Sequence, residues 1–159
     1  MQNIDLDLFL NKIHSNVSYK ICSSDELNFL LRDNEFVIVN TDPSSLPGHH
    51  WVVFYRNKEG IIQFFDSFGH KPDFYTFNFV KFLQRNVFES YYIFNPCTIQ
   101  SNTSNICGLY CLFFYVYICN DFSFNEFLCQ FTNNTTLNDL YCLKSIEKLF
   151  DYTFILNKI

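Results

Sequence analysis

The sequence predicts an α+β fold, a small mixed β-sheet packed against helices around one buried central helix. Three observations carry that expectation. Short β-branched and aromatic runs bounded by turn residues occupy 36–40, 49–55 and 61–66; an unbroken apolar segment fills 105–119; and two stretches of helical apolar period lie at 74–86 and 137–150.

Taken in order, the first element reads as weakly helical. Ser24 is placed to cap a second helix, with Asp25 and Glu26 in its first turn and Leu27, Leu30 and Leu31 as an apolar stripe ending near Asp33. FVIVN at 36–40 reads as a strand, and DPSSLPG at 42–48 as a loop by its Pro and Gly content. HHWVVFY at 49–55 and IIQFFD at 61–66 flank Asn57 to Gly60 and form a hairpin. Both strands are apolar on both faces, so each face needs cover, and the segment at 74–86 supplies one covering helix. YYIFN at 91–95 returns as a strand. Residues 105–119 are long enough and apolar enough for a helix buried all round. Ser123 caps a helix through Phe131, and Leu140, Leu143, Ile146, Leu149 and Phe150 recur at helical spacing in the last element.

Composition bounds the function. With 159 residues and no repeat or linker, the chain reads as one domain spanning 1–159. Its 21 Phe and 10 Tyr supply ample apolar area for a core. A net charge of -5 argues against a surface built to neutralise phosphates. The N-terminal MQNIDLDLFLNKIHS carries acidic residues where a secretory signal would be basic, and no run of about 18 apolar residues marks a membrane span. A soluble, intracellular protein with no membrane partner is the expectation. Seven cysteines, an odd number without a CxxC or CxxH pair, suit reduced thiols better than a disulfide or zinc framework, so no metal is expected.

One thiol stands apart. Cys107 begins the central helix, where unpaired N–H groups and the helix dipole favour a thiolate. An ordinary thiol, with a pKa near 8.5, is largely protonated at neutral pH, and a helix N-terminus with a neighbouring imidazolium brings it to about 3.5–7.5. Gly108 leaves the backbone open where a substrate carbonyl must approach, and the Cys107 N–H can point into the same space. Gln100, seven residues upstream, can offer its side-chain NH₂ as a second donor to an oxyanion. His50 starts one strand of the hairpin and Asp66 ends the other, so an imidazole–carboxylate pair can form at one sheet edge. Strand alternation alone leaves His49 and His50 both open as the base. Asp42, Asp73 and Glu89 are fallback acids. Trp51 reads as a wall of the site, and Cys111, one turn beyond Cys107, as packing. Cys22, Cys119, Cys129 and Cys142 read as buried inert thiols, Cys97 as a thiol in an exposed loop, and His14 and His70 as surface residues.

These residues carry a resemblance. IVNT at 38–41, Gly-x-His-Trp from Gly48 to Trp51, FFDSFG at 64–69, and Gln100 followed by CGLYC from Cys107 resemble the adenovirus endopeptidase, over about residues 36–115. The SUMO and ubiquitin-like-specific proteases share the same order of His-Trp, acid, Gln and Cys-Gly. The resemblance implies the papain-like, adenain-like cysteine protease fold and a thiol protease with His50 as base, since the pattern places it directly before Trp. It implies Asp66 as the orienting acid, where the adenoviral enzyme has Glu, Cys107 as nucleophile, and Gln100 with the Cys107 amide as oxyanion hole. It also implies virion precursor proteins as substrates, cleaved at small or Gly-containing sites, in the cytoplasm or nucleus of a host cell or within the virion. The adenoviral enzyme is activated by DNA and by a disulfide-linked peptide. About eighteen residues before Cys107, where that bond would form, no cysteine stands, and the acidic balance does not suit DNA, so neither activator is carried over and no cofactor is expected. Two other readings stay open: an isopeptidase acting on a folded ubiquitin-like modifier, and a non-peptidase relative, an acyltransferase or a binding module.

Overall fold

The computed structural model describes residues 3–87 and 91–150, with side chains from Leu6 onward. One sheet of five strands runs in the order β1 (Ser18–Ser23), β2 (Glu35–Asn40), β3 (Trp51–Arg56), β4 (Ile62–Phe65) and β5 (Tyr92–Phe94). The two outer pairs, β1 with β2 and β4 with β5, are parallel, while β2–β3 and β3–β4 are antiparallel. The helices are α1 (Asn3–Leu10), α2 (Phe77–Asn86), α3 (Cys107–Cys119), α4 (Phe124–Leu128) and α5 (Thr135–Phe150). The expected mixed sheet packed against helices is therefore present.

Alternation along the strands sorts the core into two layers. Phe36, Ile38, Trp51, Val53, Tyr55 and Phe65 face the layer filled by α1, α3, α4 and α5. Val37, Val39, Val52, Phe54, Ile62 and Phe64 face α2 and the segment around Leu27 and Leu31. The central helix is buried along almost its whole circumference, with side chains from Cys107 to Val116 all inside. Ser123 caps α4 through a reciprocal pairing with Glu126, as expected from the sequence, but the helix stops at Leu128 rather than Phe131. In α5, Leu140 and Leu149 are exposed, and Asn138, Asp139, Cys142 and Ile146 make the buried face instead.

The region before residue 34 departs most from expectation. Ser18–Ser23 is a strand, and the helix expected from Ser24 to Asp33 is only a 3-10 turn, Ser24–Glu26, followed by extended chain. That chain has its backbone groups satisfied by α2. The Asn86 side chain accepts from the Leu31 N–H at 2.6 Å and donates to Phe29 O, and Arg85 donates to Leu27 O at 3.1 Å. With Leu27 and Leu31 packed on α2 and Leu30 left exposed, tertiary partners replace the hydrogen bonds a helix would have supplied.

Candidate active site

The strand ends of β3 and β4 and the start of α3 converge on one corner of the sheet. His50 immediately precedes β3, and its carbonyl accepts from Thr41 N at 2.9 Å, so the ladder extends one step past the Asn40–Trp51 pair and fixes its backbone. The loop before it folds tightly. Gly48 has φ of 85°, and a Cβ there would run into the Asn40 side chain. Asp25 anchors the same loop by accepting from Ser44 N and Oγ, both at 2.8 Å.

Asp66 follows β4 directly and is wholly buried. Its backbone is clamped by Asn95, which accepts from Asp66 N at 3.0 Å and donates to Asp66 O at 2.6 Å, an amide pairing that prolongs the parallel β4–β5 ladder by a side chain. The carboxylate is saturated with donors. Oδ1 accepts from His50 Nε2 at 2.6 Å and from Phe68 N at 3.0 Å; Oδ2 accepts from His70 N at 2.9 Å and from the Tyr75 hydroxyl at 2.7 Å. Burial alone would raise its pKa, and the His50, Tyr75 and Phe68 donors outweigh it, so the group is held below the usual carboxylate range.

His50 stacks on Phe68, with ring centroids 4.8 Å apart, and on Tyr75 at 5.5 Å. With Nε2 committed to Asp66, His50 also hydrogen-bonds the Cys107 side chain. Burial opposes its protonation, but hydrogen bonds to Asp66 and Cys107 prevail and raise its pKa to about 9. Cys107 opens α3 and is 7% exposed. Its burial pushes the thiol pKa up, yet the hydrogen bond and charge of His50, with the backbone N–H groups of Trp51 and Gly108, bring it below the ordinary value. The two shifts run in opposite directions, and each group favours the charged form of the other.

Gln100 is held by both of its amide atoms. Its Oε1 accepts from Ser67 Oγ at 2.6 Å, which fixes the orientation of the amide, and Nε2 donates one hydrogen to Ser104 O at 2.9 Å, leaving the second hydrogen of that NH₂ as a donor to a bound group. Its backbone N–H donates to Ser67 O at 3.0 Å. Ser67, next to the acid, thus ties the acid loop to the Gln loop.

The sequence-selected residues His50, Trp51, Asp66, Gln100, Cys107 and Gly108 are all buried. His49 turns away, exposed and paired with Asp42, which occupies one of the fallback acids. Glu89 lies outside the described residues. Cys111 is fully buried and its pKa is raised well above normal by that burial, in keeping with packing, and Cys97 is exposed. Cys129, expected inside, is exposed, because α4 ends one residue earlier. His70 is only partly a surface residue, since its backbone supports Asp66 and its ring stacks on Phe74. Sequence reasoning missed Tyr75, Asn95 and Ser67, whose partners are fixed by folding; the adjacency of Ser67 to Asp66 was the one available signal. Among the described residues no cluster of His, Cys, Asp and Glu could hold a metal, and no helix is long and apolar enough to cross a membrane.

No curated protein matches the sequence. A crystal structure of a selenomethionine-labelled ASFV protease is similar to the chain at 20% identity and a TM-score of 0.48, over 68% of this chain and 42% of the ASFV protease, so the chain spans less than half of that protein's length. The sequence profile described as adenovirus endoprotease matches residues 28–145, which take in the whole corner from the Asp25-anchored loop to α5. The chain belongs to the adenovirus endoprotease family of cysteine peptidases.

Proposed function

We propose that the chain is a cysteine endopeptidase using Cys107, His50 and Asp66 as catalytic triad, with the Gln100 side chain and the Cys107 N–H as oxyanion hole, and that it processes virion precursor proteins. The observation that carries the catalytic reading is the buried relay in which Asp66 Oδ1 lies 2.6 Å from His50 Nε2 and His50 in turn hydrogen-bonds the Cys107 thiol. The thiolate adds to the scissile carbonyl carbon, and the resulting oxyanion takes hydrogen bonds from Gln100 Nε2 and Cys107 N. His50 gives its proton to the amide nitrogen as the C–N bond breaks, leaving a thioester. It then takes a proton from water, whose oxygen attacks the thioester and releases the carboxylic acid and the Cys107 thiolate, so the starting thiolate and protonated His50 are restored. Asp66 stays ionised throughout and holds the imidazole in the tautomer and orientation that both transfers need. Virion precursors as substrates rest on kinship with the adenovirus endoprotease family.

The test is incubation of the wild-type chain and Cys107→Ala with a peptide library and, separately, with ubiquitin and SUMO vinyl sulfone probes, read by mass spectrometry. The expected result is cleavage of peptides by the wild type alone and no probe adduct. Undiminished cleavage by Cys107→Ala would remove the nucleophile assignment, and a probe adduct at Cys107 would replace the endopeptidase with an isopeptidase acting on a folded modifier.

A further inference from the structure

Gln100 lies in a stretch without regular structure between β5 and α3, so nothing in a strand or helix ladder sets its position. Its two chain neighbours are instead held by α5. The Asn138 side chain donates to Ile99 O at 3.0 Å, and Ser101 N donates to both carboxylate oxygens of Asp139, each at 3.3 Å. Both side chains sit on the first turns of α5 and are buried, at 2% and 8% exposure, where polar groups are retained only with partners. Asn138 is fixed in turn by Thr132, whose N–H it accepts at 2.9 Å and whose carbonyl it donates to at 2.8 Å. The clamp also reaches the nucleophile's helix. The hydroxyl of Tyr110, three residues after Cys107, donates to Asp139 Oδ1 at 2.8 Å and lies 3.3 Å from Ile99 O.

We propose that Asn138 and Asp139 are positioning residues for the oxyanion hole, acting through Gln100, with Tyr110 registering their carboxylate against the helix that carries Cys107. The proposal rests on the reading of Gln100 as an oxyanion donor. A donor must sit within a few tenths of an ångström of the developing charge, and a misplacement of about 1 Å can cost on the order of 10²-fold in rate. Neither residue touches Asp66, His50 or Cys107 in the hydrogen bonds that define that relay, so the thiolate–imidazolium pair forms without them.

The experiment is a double-mutant cycle on the full chain. Asp139→Ala is expected to lower kcat about 10-fold or more on a cleavable peptide, with KM and the rate of Cys107 alkylation by iodoacetamide both near wild type. In a Gln100→Ala background, itself slowed by about 10²-fold, the same substitution is expected to change kcat by less than about twofold, because the group it positions is gone. Asp139→Asn keeps an oxygen for Ser101 N and the Tyr110 hydroxyl and is expected to recover most of the rate. Tyr110→Phe, which keeps the ring and deletes only the hydroxyl, gives the same cycle if Asp139→Ala does not fold. Equal losses in both backgrounds, or an alkylation rate that falls in step with kcat, would reduce the clamp to general structural support and overturn the proposal. Gln100→Ala with wild-type turnover would instead remove the oxyanion assignment beneath it, a distinct failure.

Discussion

At the scale of single residues, two desolvated groups are each more charged than water would make them. Burial works against the Cys107 thiolate and against the His50 imidazolium, and each is sustained by the other and by fixed dipoles, with Asp66 completing the row. A thiolate–imidazolium pair is favoured above the depressed Cys107 pKa and below the His50 pKa of about 9. The sign of the pH response follows. An ordinary thiol loses reactivity as pH falls below about 8.5, because the thiolate is the nucleophile. Cys107 is expected to keep its iodoacetamide reactivity to lower pH, and in His50→Ala, where burial remains and the imidazolium is gone, the profile should shift upward past that of a free thiol. Alkylation rates of the two proteins across pH check this; a wild-type profile that coincides with free cysteine would contradict the ion pair. Tyr75 adds a neutral donor to the far oxygen of Asp66, and its own pKa is raised by burial and by that carboxylate, so it remains a donor across this range.

At the scale of elements, the site is built from strand ends and the loops that leave them, and the acid loop bears the tightest constraint. Gly69 has φ of 75°, and a Cβ there would lie 2.6 Å from the Cys97 backbone carbon and 2.8 Å from its oxygen. Gly69→Ala therefore has to move one loop away from the other, at a conformational cost of about 1–2 kcal/mol before any clash is counted. Because Ser67 in this loop holds Gln100 and Asp66 holds His50, the variant is expected to lose turnover as well as melting temperature, measured by peptide cleavage and thermal unfolding. The elements that carry chemistry were legible in the sequence where local pattern and tertiary role coincide. The apolar run starting at Cys107 can only be a buried helix, and the Asn57–Gly60 turn registers the strands that end at His50 and Asp66. The strand Ser18–Ser23 was not legible, because SYKICS lacks a two-residue alternation of burial and lies on the sheet edge. The stretch after it shows a helical stripe, yet Asn86 and Arg85, more than fifty residues away in sequence, supply its hydrogen bonds. Asn95, Asp139 and Tyr75 escaped notice for the same reason: each is an ordinary polar residue whose partner is chosen by the fold.

At the scale of the whole molecule, the core is an aromatic lattice that joins the sheet to its helices. Phe114 stands at its centre, with ring centroids 5.3 Å from Phe36, 5.4 Å from Phe65, 5.1 Å from Phe124 and 4.9 Å from Phe127. It links β2 and β4 to α4 through α3, on the same helix that presents Cys107. Phe114→Ala is expected to cost about 3–5 kcal/mol, a large share of the roughly 5–15 kcal/mol that holds a domain folded, and chemical denaturation will show it as a lowered midpoint. The chain order of the clamp on Gln100 has a further consequence, in time rather than in energy. The nucleophile, base and acid all leave the ribosome before α5 does, while Ile99 and Ser101 gain their side-chain anchors only when Asn138 and Asp139 have emerged. Translation at roughly 5–20 residues per second puts that completion seconds after Cys107 is made. A chain still in synthesis thus lacks the two side chains that anchor Ile99 and Ser101 on either side of Gln100.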